Sequence, residues 1–202
     1  MRLQSVCGDT LFKSSHLTIK ESVEEAISEG VCLDGINLRK ANLSGARLDM
    51  AKMPNACFWG ADLTGADMSD GCFDGADFRT AVLKDACLSE GSFISANFHG
   101  AYCSQMLIDG ADFTKARFSC PSIFSCDLST TSHLDGAIYS HHGEIDCPLS
   151  NAPIIIKGLD QPVVIMGQDI LIGSDHQKMG GSAQYEKEVL DQLRRKLFYN
   201  HK

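Results

Sequence analysis

Thiols, imidazoles and carboxylates set close together are the residues of this chain that could do chemistry. The segment His141, His142, Gly143, Glu144, Ile145, Asp146, Cys147 gathers every side-chain type that binds a transition metal. A zinc centre needs three or four such ligands at tetrahedral spacing, and this run has no such spacing. A polar loop is the expectation there. Gly173, Ser174, Asp175 and His176 supply the residue types of a hydrolytic triad. A triad, however, is a spatial arrangement that adjacency in sequence does not provide. No Gly-rich phosphate loop, G-x-S-x-G turn or HExxH helix occurs. The expectation is a protein without enzymatic activity: no catalytic residue, no cofactor and no metal.

The chain has nine cysteines, an odd count without a secretory leader, which favours reduced thiols in a cytoplasmic setting. No CxxC pair occurs among them. Cys32, Cys57, Cys72 and Cys87 each stand immediately before a large apolar residue. That shared position shows what must hold them, namely an element that repeats.

The stretch GADLTGADMSDGCFDGADF, residues 60–78, places Leu63, Met68, Phe73 and Phe78 five apart, with Ala61, Ala66, Gly71 and Ala76 two residues before each. A helix moves a residue 140° round its axis in five steps, and a strand puts odd spacings on opposite faces. Neither buries this pattern, so the chain must bend once per quintet. From Leu33 to Leu128 there are 20 such centres without an insertion, and 19 are Leu, Phe, Met or Ile; Cys103 is the other. Thirteen of the residues two before a centre are Ala and two are Gly, so that position is inward and cramped. After Leu128 the frame slips by one and resumes at Leu134 and Tyr139.

On ANLSG, ADLTG and GADF the sequence resembles the pentapeptide-repeat family over roughly residues 31–140. The resemblance implies an all-β solenoid, a right-handed quadrilateral β-helix with four quintets per coil. The expected molecule has about five to six coils, an N-terminal helical cap and a C-terminal β/helical extension. Four quintets make a 20-residue rung, so Leu33, Met53, Phe73, Phe93 and Phe113 should stack, beside Leu38, Phe58, Phe78, Phe98 and Phe118. These two columns predict adjoining aromatic ladders. At about 4.8 Å per rung, the regular tract is about 24 Å long. Cys32 and Cys72 would share a side two rungs apart, about 10 Å, too far for a disulfide. Gly at the quintet ends suits a bent backbone, and Asp or Asn before a centre can bond the next turn.

Four segments are expected. Residues 1–30 form the N-terminal cap, with a hairpin near Gly8 and an amphipathic helix over 18–29 that opens on Thr18 and Glu21. Residues 31–140 form the β-helix. Residues 141–181 form an irregular β extension with strands at 154–156, 163–166 and 170–172, as further coils or as a small β cap. Residues 182–202 carry a helix whose stripe is Tyr185, Val189, Leu193 and Leu197, suited to packing within the chain or to a homodimer.

The net charge of −8 argues against direct nucleic-acid binding, and no apolar run approaches a membrane span. The register maps the outward residues. One side carries Asp49, Asp67, Asp70, Glu90, Asp109 and Asp127 against Arg47, a net of −5. The opposite side carries Arg39, Lys40, Arg79 and Arg117 against Asp77, a net of +3. Val82, Tyr102 and Phe124 are expected outward as a group, with Trp59 and Ile94 outward elsewhere. Two functions follow. The first is a rigid scaffold that docks a protein partner through a flat face or the C-terminal section, with Val82, Tyr102 and Phe124 as candidate contacts. The second comes from the resemblance: some family members bind DNA gyrase by imitating duplex DNA, and the acidic side could serve that role towards gyrase or another DNA-binding protein.

Overall fold

A computed structural model describes residues 1–119, 121–141, 145–149, 153–156, 163–166, 169–172 and 175–178. The chain divides into two compact units, Met1–Ala152 and Pro153–Lys202.

The first unit is β-helix-like. Its outward residues form parallel bridges 20 apart: Asn42 with Asp62, Asp62 with Val82, Val82 with Tyr102, and likewise along three further columns. Most of these contacts are single bridges, because each quintet leaves only one or two extended residues before the backbone turns. Every centre from Leu33 to Leu128 is buried. The turn itself is the same throughout. All quintet ends from Gly35 to Lys115 have φ between +54° and +69°, and ten of them are not glycine, Thr80 and Lys115 among them. The stacking hydrogen bonds therefore hold a backbone region that L-residues otherwise avoid. Asp and Asn before a centre help: the side chains of Asn37, Asn42, Asp62, Asp67, Asp77, Asn97 and Asp112 each accept from the N–H two residues on.

The interior bears out the two aromatic ladders. Phe58, Phe78, Phe98 and Phe118 stack with ring centroids 4.8–4.9 Å apart and planes within 9°. Phe73, Phe93 and Phe113 stack at 5.3–5.4 Å. Rings of the two ladders meet at 5.4–6.3 Å and steep angles, the tilted geometry that aromatic quadrupoles favour.

The N-terminal elements meet the first rung. Strands β1 (Arg2–Gln4) and β2 (Thr10–Lys13) form an antiparallel hairpin. Helix α1 (Ile19–Ser28) starts at Thr18, whose hydroxyl accepts from Glu21 N–H and donates to the Glu21 carboxylate. Val23 and Ala26 are fully buried, as is Ser22, while Ile19 and Ile27 are half-buried. These elements supply the partners that a preceding rung would have given. Gln4 C=O accepts from Asn37 N–H, the Glu24 carboxylate accepts from Arg47 N–H at 2.9 Å, and Lys20 Nζ donates to Ser44 C=O at 2.8 Å.

The one-residue slip is present, but it begins earlier than Leu128: Gln105 N–H already reaches Ser125, one residue beyond the regular ladder spacing. Strands β3 (Asn97–Phe98) and β4 (Arg117–Phe118) pair 20 residues apart, whereas β4 and β5 (Ile138–His141) pair 21 apart. Between them the backbone tightens into 3-10 turns at Pro121–Ser125 and Leu128–Thr130. There, hydroxyls replace ladder carbonyls: Ser119, Ser122 and Ser125 Oγ accept from Gly100, Cys103 and Gln105 N–H at 2.8–3.0 Å.

Strand β6 (Ile145–Pro148) pairs antiparallel with β5, so the expected polar loop around HHGEIDC is corrected. The signal was the alternation of buried Cys147 and Leu149 with exposed Asp146 and Pro148, a strand period masked by the polar residues before it. His142, Gly143 and Glu144 lie outside the described residues. In the second unit, β7 (Ile154–Ile156), β8 (Val163–Met166), β9 (Asp169–Ile172) and β10 (Asp175–Lys178) form an antiparallel meander. Its antiparallel pairing differs from the parallel stacking of the rungs, which decides between further coils and a small β unit. The helix expected within 182–202, with Tyr185, Val189, Leu193 and Leu197, lies outside the described residues.

Candidate functional site

The four cysteines that stand before a centre occupy different environments. Cys32 is exposed, Cys72 and Cys87 are half-buried, and Cys57 is buried with its sulfur 3.3 Å from Arg39 Nε. His176 takes its partner across the sheet, with Nε2 2.8 Å from Asp169 Oδ1; its sequence neighbours Gly173 and Ser174 are outside the described residues. Asp146 accepts from Ser140 Oγ and lies 3.6 Å from Arg117.

The outward columns are where the structure gathers the remaining candidates. On the acidic side, Arg47, Asp67, Cys87 and Leu107 form one bridged column. The adjacent corner column is Met50, Asp70, Glu90 and Gly110, and the Glu90 carboxylate folds over Gly110 where a Cβ would stand. Asp49 and Asp109 flank it, Asp49 half-buried and the other five acids exposed. Asp67 Oδ1 accepts from Ser69 N–H and Oγ, and Asp127 Oδ1 does the same with Ser129. Among the described residues, none of Asp49, Asp67, Asp70, Glu90 and Asp109 has a cationic partner within 4.0 Å. Sequence reasoning missed that this side also exposes Leu107, at 57%, and Met50. The same arithmetic of outward slots would have found both.

The other side is basic and partly neutralised. Arg79 binds Asp77 through two hydrogen bonds of 2.9 and 2.8 Å. Burial pushes the Asp77 carboxyl up, but the Arg79 hydrogen bonds and the charges of Arg79 and Arg39 outweigh it and hold the group below its usual range. Arg39 and Lys40 lie over the half-buried Trp59 ring, at 5.7 and 5.2 Å from its centroid.

Val82 and Tyr102 are bridged neighbours, 37% and 51% exposed, on the column that begins at Asn42. Phe124 is corrected. It is 7% exposed and packs on Tyr139, with centroids 4.8 Å apart, because the 3-10 turn rotates it inward. Ile94, expected outward like Trp59, is also half-buried. A shallow cleft of about 300 Å³ beside α1 is lined by His16, Glu21, Glu24, Glu25, Ser28 and Arg47. Glu21 caps the helix and Glu24 bonds Arg47 of the first rung, while the buried Glu25 Oε2 has no hydrogen-bond partner among the described residues.

A chain whose outward residues bridge every 20 positions over an unbroken apolar interior is a repeat protein of the β-helix-like class. The model for pentapeptide repeats matches eight copies, at residues 29–60 and 61–100, and this part of the chain is a tract of pentapeptide repeats. No curated protein matches it. Among solved structures it is similar to the pentapeptide repeat protein Rfr23 from the cyanobacterium Cyanothece 51142, at 20% identity over 52% of this chain and 82% of that one, with a TM-score of 0.43. A pentapeptide repeat protein of the Arabidopsis thaliana thylakoid lumen matches at 28% identity over 41% and 65% of the two chains, TM-score 0.21. QnrB1, a plasmid-mediated fluoroquinolone resistance protein, matches at 13% over 48% and 65%, TM-score 0.28. Among the described residues no helix is long and apolar enough to cross a membrane.

Proposed function

We propose that residues 31–140 form a right-handed quadrilateral β-helix of about five to six coils, with an N-terminal cap and a C-terminal extension, and that it serves as a rigid, non-enzymatic scaffold. It docks a protein partner through a flat face or the C-terminal section. The observation that carries this reading is the exposed pair Val82 and Tyr102 on hydrogen-bonded neighbouring rungs. An aromatic and a β-branched residue held side by side on a rigid ladder lose little entropy on binding. Tyrosine is also among the residues that carry binding energy at interfaces.

A second reading has its own observation. Five acidic side chains of one face lack cationic partners among the described residues, which suits a DNA mimic that binds gyrase or another DNA-binding protein. Magnitude disfavours it. Duplex DNA presents about 14 charges over about 24 Å, against a net of −5 here. One comparison separates the two: capture from a bacterial lysate by the wild type, by Val82→Ser/Tyr102→Ala and by Asp67→Lys/Asp109→Lys/Asp127→Lys. Loss of the partner only in the Tyr102 variant supports docking through that column. Loss only in the charge-reversed variant, with a DNA-binding protein as the captured species, supports mimicry.

A further inference from the structure

The basic side of the β-helix has a specific unsatisfied spot. Arg79 is neutralised by Asp77 and Arg117 lies beside Asp146, but Arg39 and Lys40 have no carboxylate within 4.0 Å among the described residues. Arg39 Nε contacts Cys57 Sγ at 3.3 Å, and its charge reaches Asp77 only from farther off. Both cations converge on the Trp59 ring. They stand at consecutive positions of the first rung, Lys40 at a corner with φ +54°, and Lys40 Cγ lies 3.5 Å from where a Cβ on Gly60 of the next rung would stand. Two fixed cations flanking an aromatic ring call for an anionic partner. The acidic side presents Asp67, Asp70, Glu90 and Asp109 over three successive rungs, also without cationic partners among the described residues.

We propose that these two surfaces fit each other, so that a second copy of this chain seats its Asp67–Asp109 face on the Arg39–Lys40–Trp59 face of the first. The occupant follows from charge complementarity: one chain carries both a cationic pair and a four-acid face, each without a counter-charge within 4.0 Å among the described residues, so a second copy supplies what the first lacks. The faces belong to different columns, so the contact is heterologous. On the four-sided reading given above, on which this proposal rests, they lie on opposite sides, and association continues from copy to copy instead of closing as a twofold dimer. One face of about 24 Å length falls short of the area stable dimers bury, about 1,200–2,000 Å². The association is therefore weak and strongly salt-dependent.

The test is sedimentation velocity of the full chain at about 100 μM in about 20 mM and about 500 mM salt. The weight-average mass should rise at low salt from the 21.9 kDa of one chain towards at least twofold, and return at high salt. Arg39→Glu/Lys40→Glu removes one surface and Asp67→Lys/Asp70→Lys the other, so each variant alone should be monomeric at low salt. Arg39→Ala/Lys40→Ala keeps only the acidic surface and Asp67→Asn/Asp70→Asn only the cationic one, so a mixture of these two neutralised variants should form a 1:1 dimer that grows no further. The milder Arg39→Ala/Lys40→Ala, with an unchanged circular dichroism spectrum, guards against misfolding and should also abolish the low-salt rise. A wild type that stays monomeric at low salt overturns the proposal. So does association that persists in both reversed variants, which would place the contact elsewhere. Neither outcome touches docking through Tyr102, which the capture experiment reads separately.

Discussion

At Gly91 a hydrogen stands where a methyl group would lie 2.8 Å from Phe93 Cε2 and 3.1 Å from the Leu88 carbonyl oxygen. Gly71 meets Phe73 in the same way. Where the inward residue is Ala111, the next ring tilts: Phe93 and Phe113 diverge by 26°, against 8° for Phe73 and Phe93. Glycine is thus the residue that lets this ladder lie flat. Gly91→Ala should lower stability by about 1–3 kcal/mol, read by chemical denaturation, although Ala fills thirteen equivalent positions. Asp62 makes a prediction about acid. The Thr64 hydroxyl, at 2.6 Å, and Thr64 N–H hold its carboxyl below its ordinary value of 3.8. A depressed folded value means that the unfolded chain takes up the proton first. The stabilisation is therefore complete above about 4 and is lost as the pH falls through the folded value. Asp62→Asn keeps an acceptor for Thr64 without the titration, so its Tm should fall less than the wild type's between about pH 5 and pH 2.5. Equal acid losses would show that the hydrogen bond does not favour the charged form.

Helix α1 shows how an element can stand in for a rung. Its Thr18 start, buried Val23 and Ala26, and the bonds from Lys20 and Glu24 all depend on the helix holding its first turns. Thr18→Ala should therefore cost about 1 kcal/mol in chemical denaturation, and Thr18→Ser should recover most of it. The helix was legible because its capping residues and apolar stripe are local signals. The quintet strands were legible for another reason: 20 centres in one frame leave a single register, and that register fixed the Phe columns and the outward slots together. What the register could not reach lies where the frame breaks. Phe124 was placed outward by counting, but a 3-10 turn, whose three serine hydroxyl contacts are long-range, rotated it inward. Strand β6 was hidden by the polar residues before it. Of the candidate site, positions were legible and partners were not. Asp77 with Arg79, and Arg39 with Lys40 on Trp59, depend on side-chain reach between columns, which residue spacing alone does not encode.

The repeat tract of the first unit is additive in rungs, because its outward residues bridge chiefly those 20 before and after them. Deleting residues 61–80 removes one full rung and leaves every column in its own frame. That variant should keep its β circular dichroism and a cooperative melt at a lower Tm. Deleting residues 61–70 shifts the remaining chain by half a rung and sets the Phe columns over the Leu columns. That variant should lose cooperative melting; equal behaviour of the two deletions would refute the 20-residue rung as the unit of stability. The molecule has already made one such edit itself, at the smallest scale. Between Phe118 and Ile138 one extra residue has entered the frame, yet Leu134, Ala137 and Tyr139 are buried in columns that resume. In a crystal this would be a dislocation, a misfit row healed within one lattice spacing: the Ser119 and Ser122 hydroxyls keep the 19-residue contact of the ladder, and the Ser125 hydroxyl makes the first contact one residue longer. A ladder that absorbs a misfit with side-chain oxygens can change length by one residue without losing its core, so serine-rich runs mark where such a protein can grow.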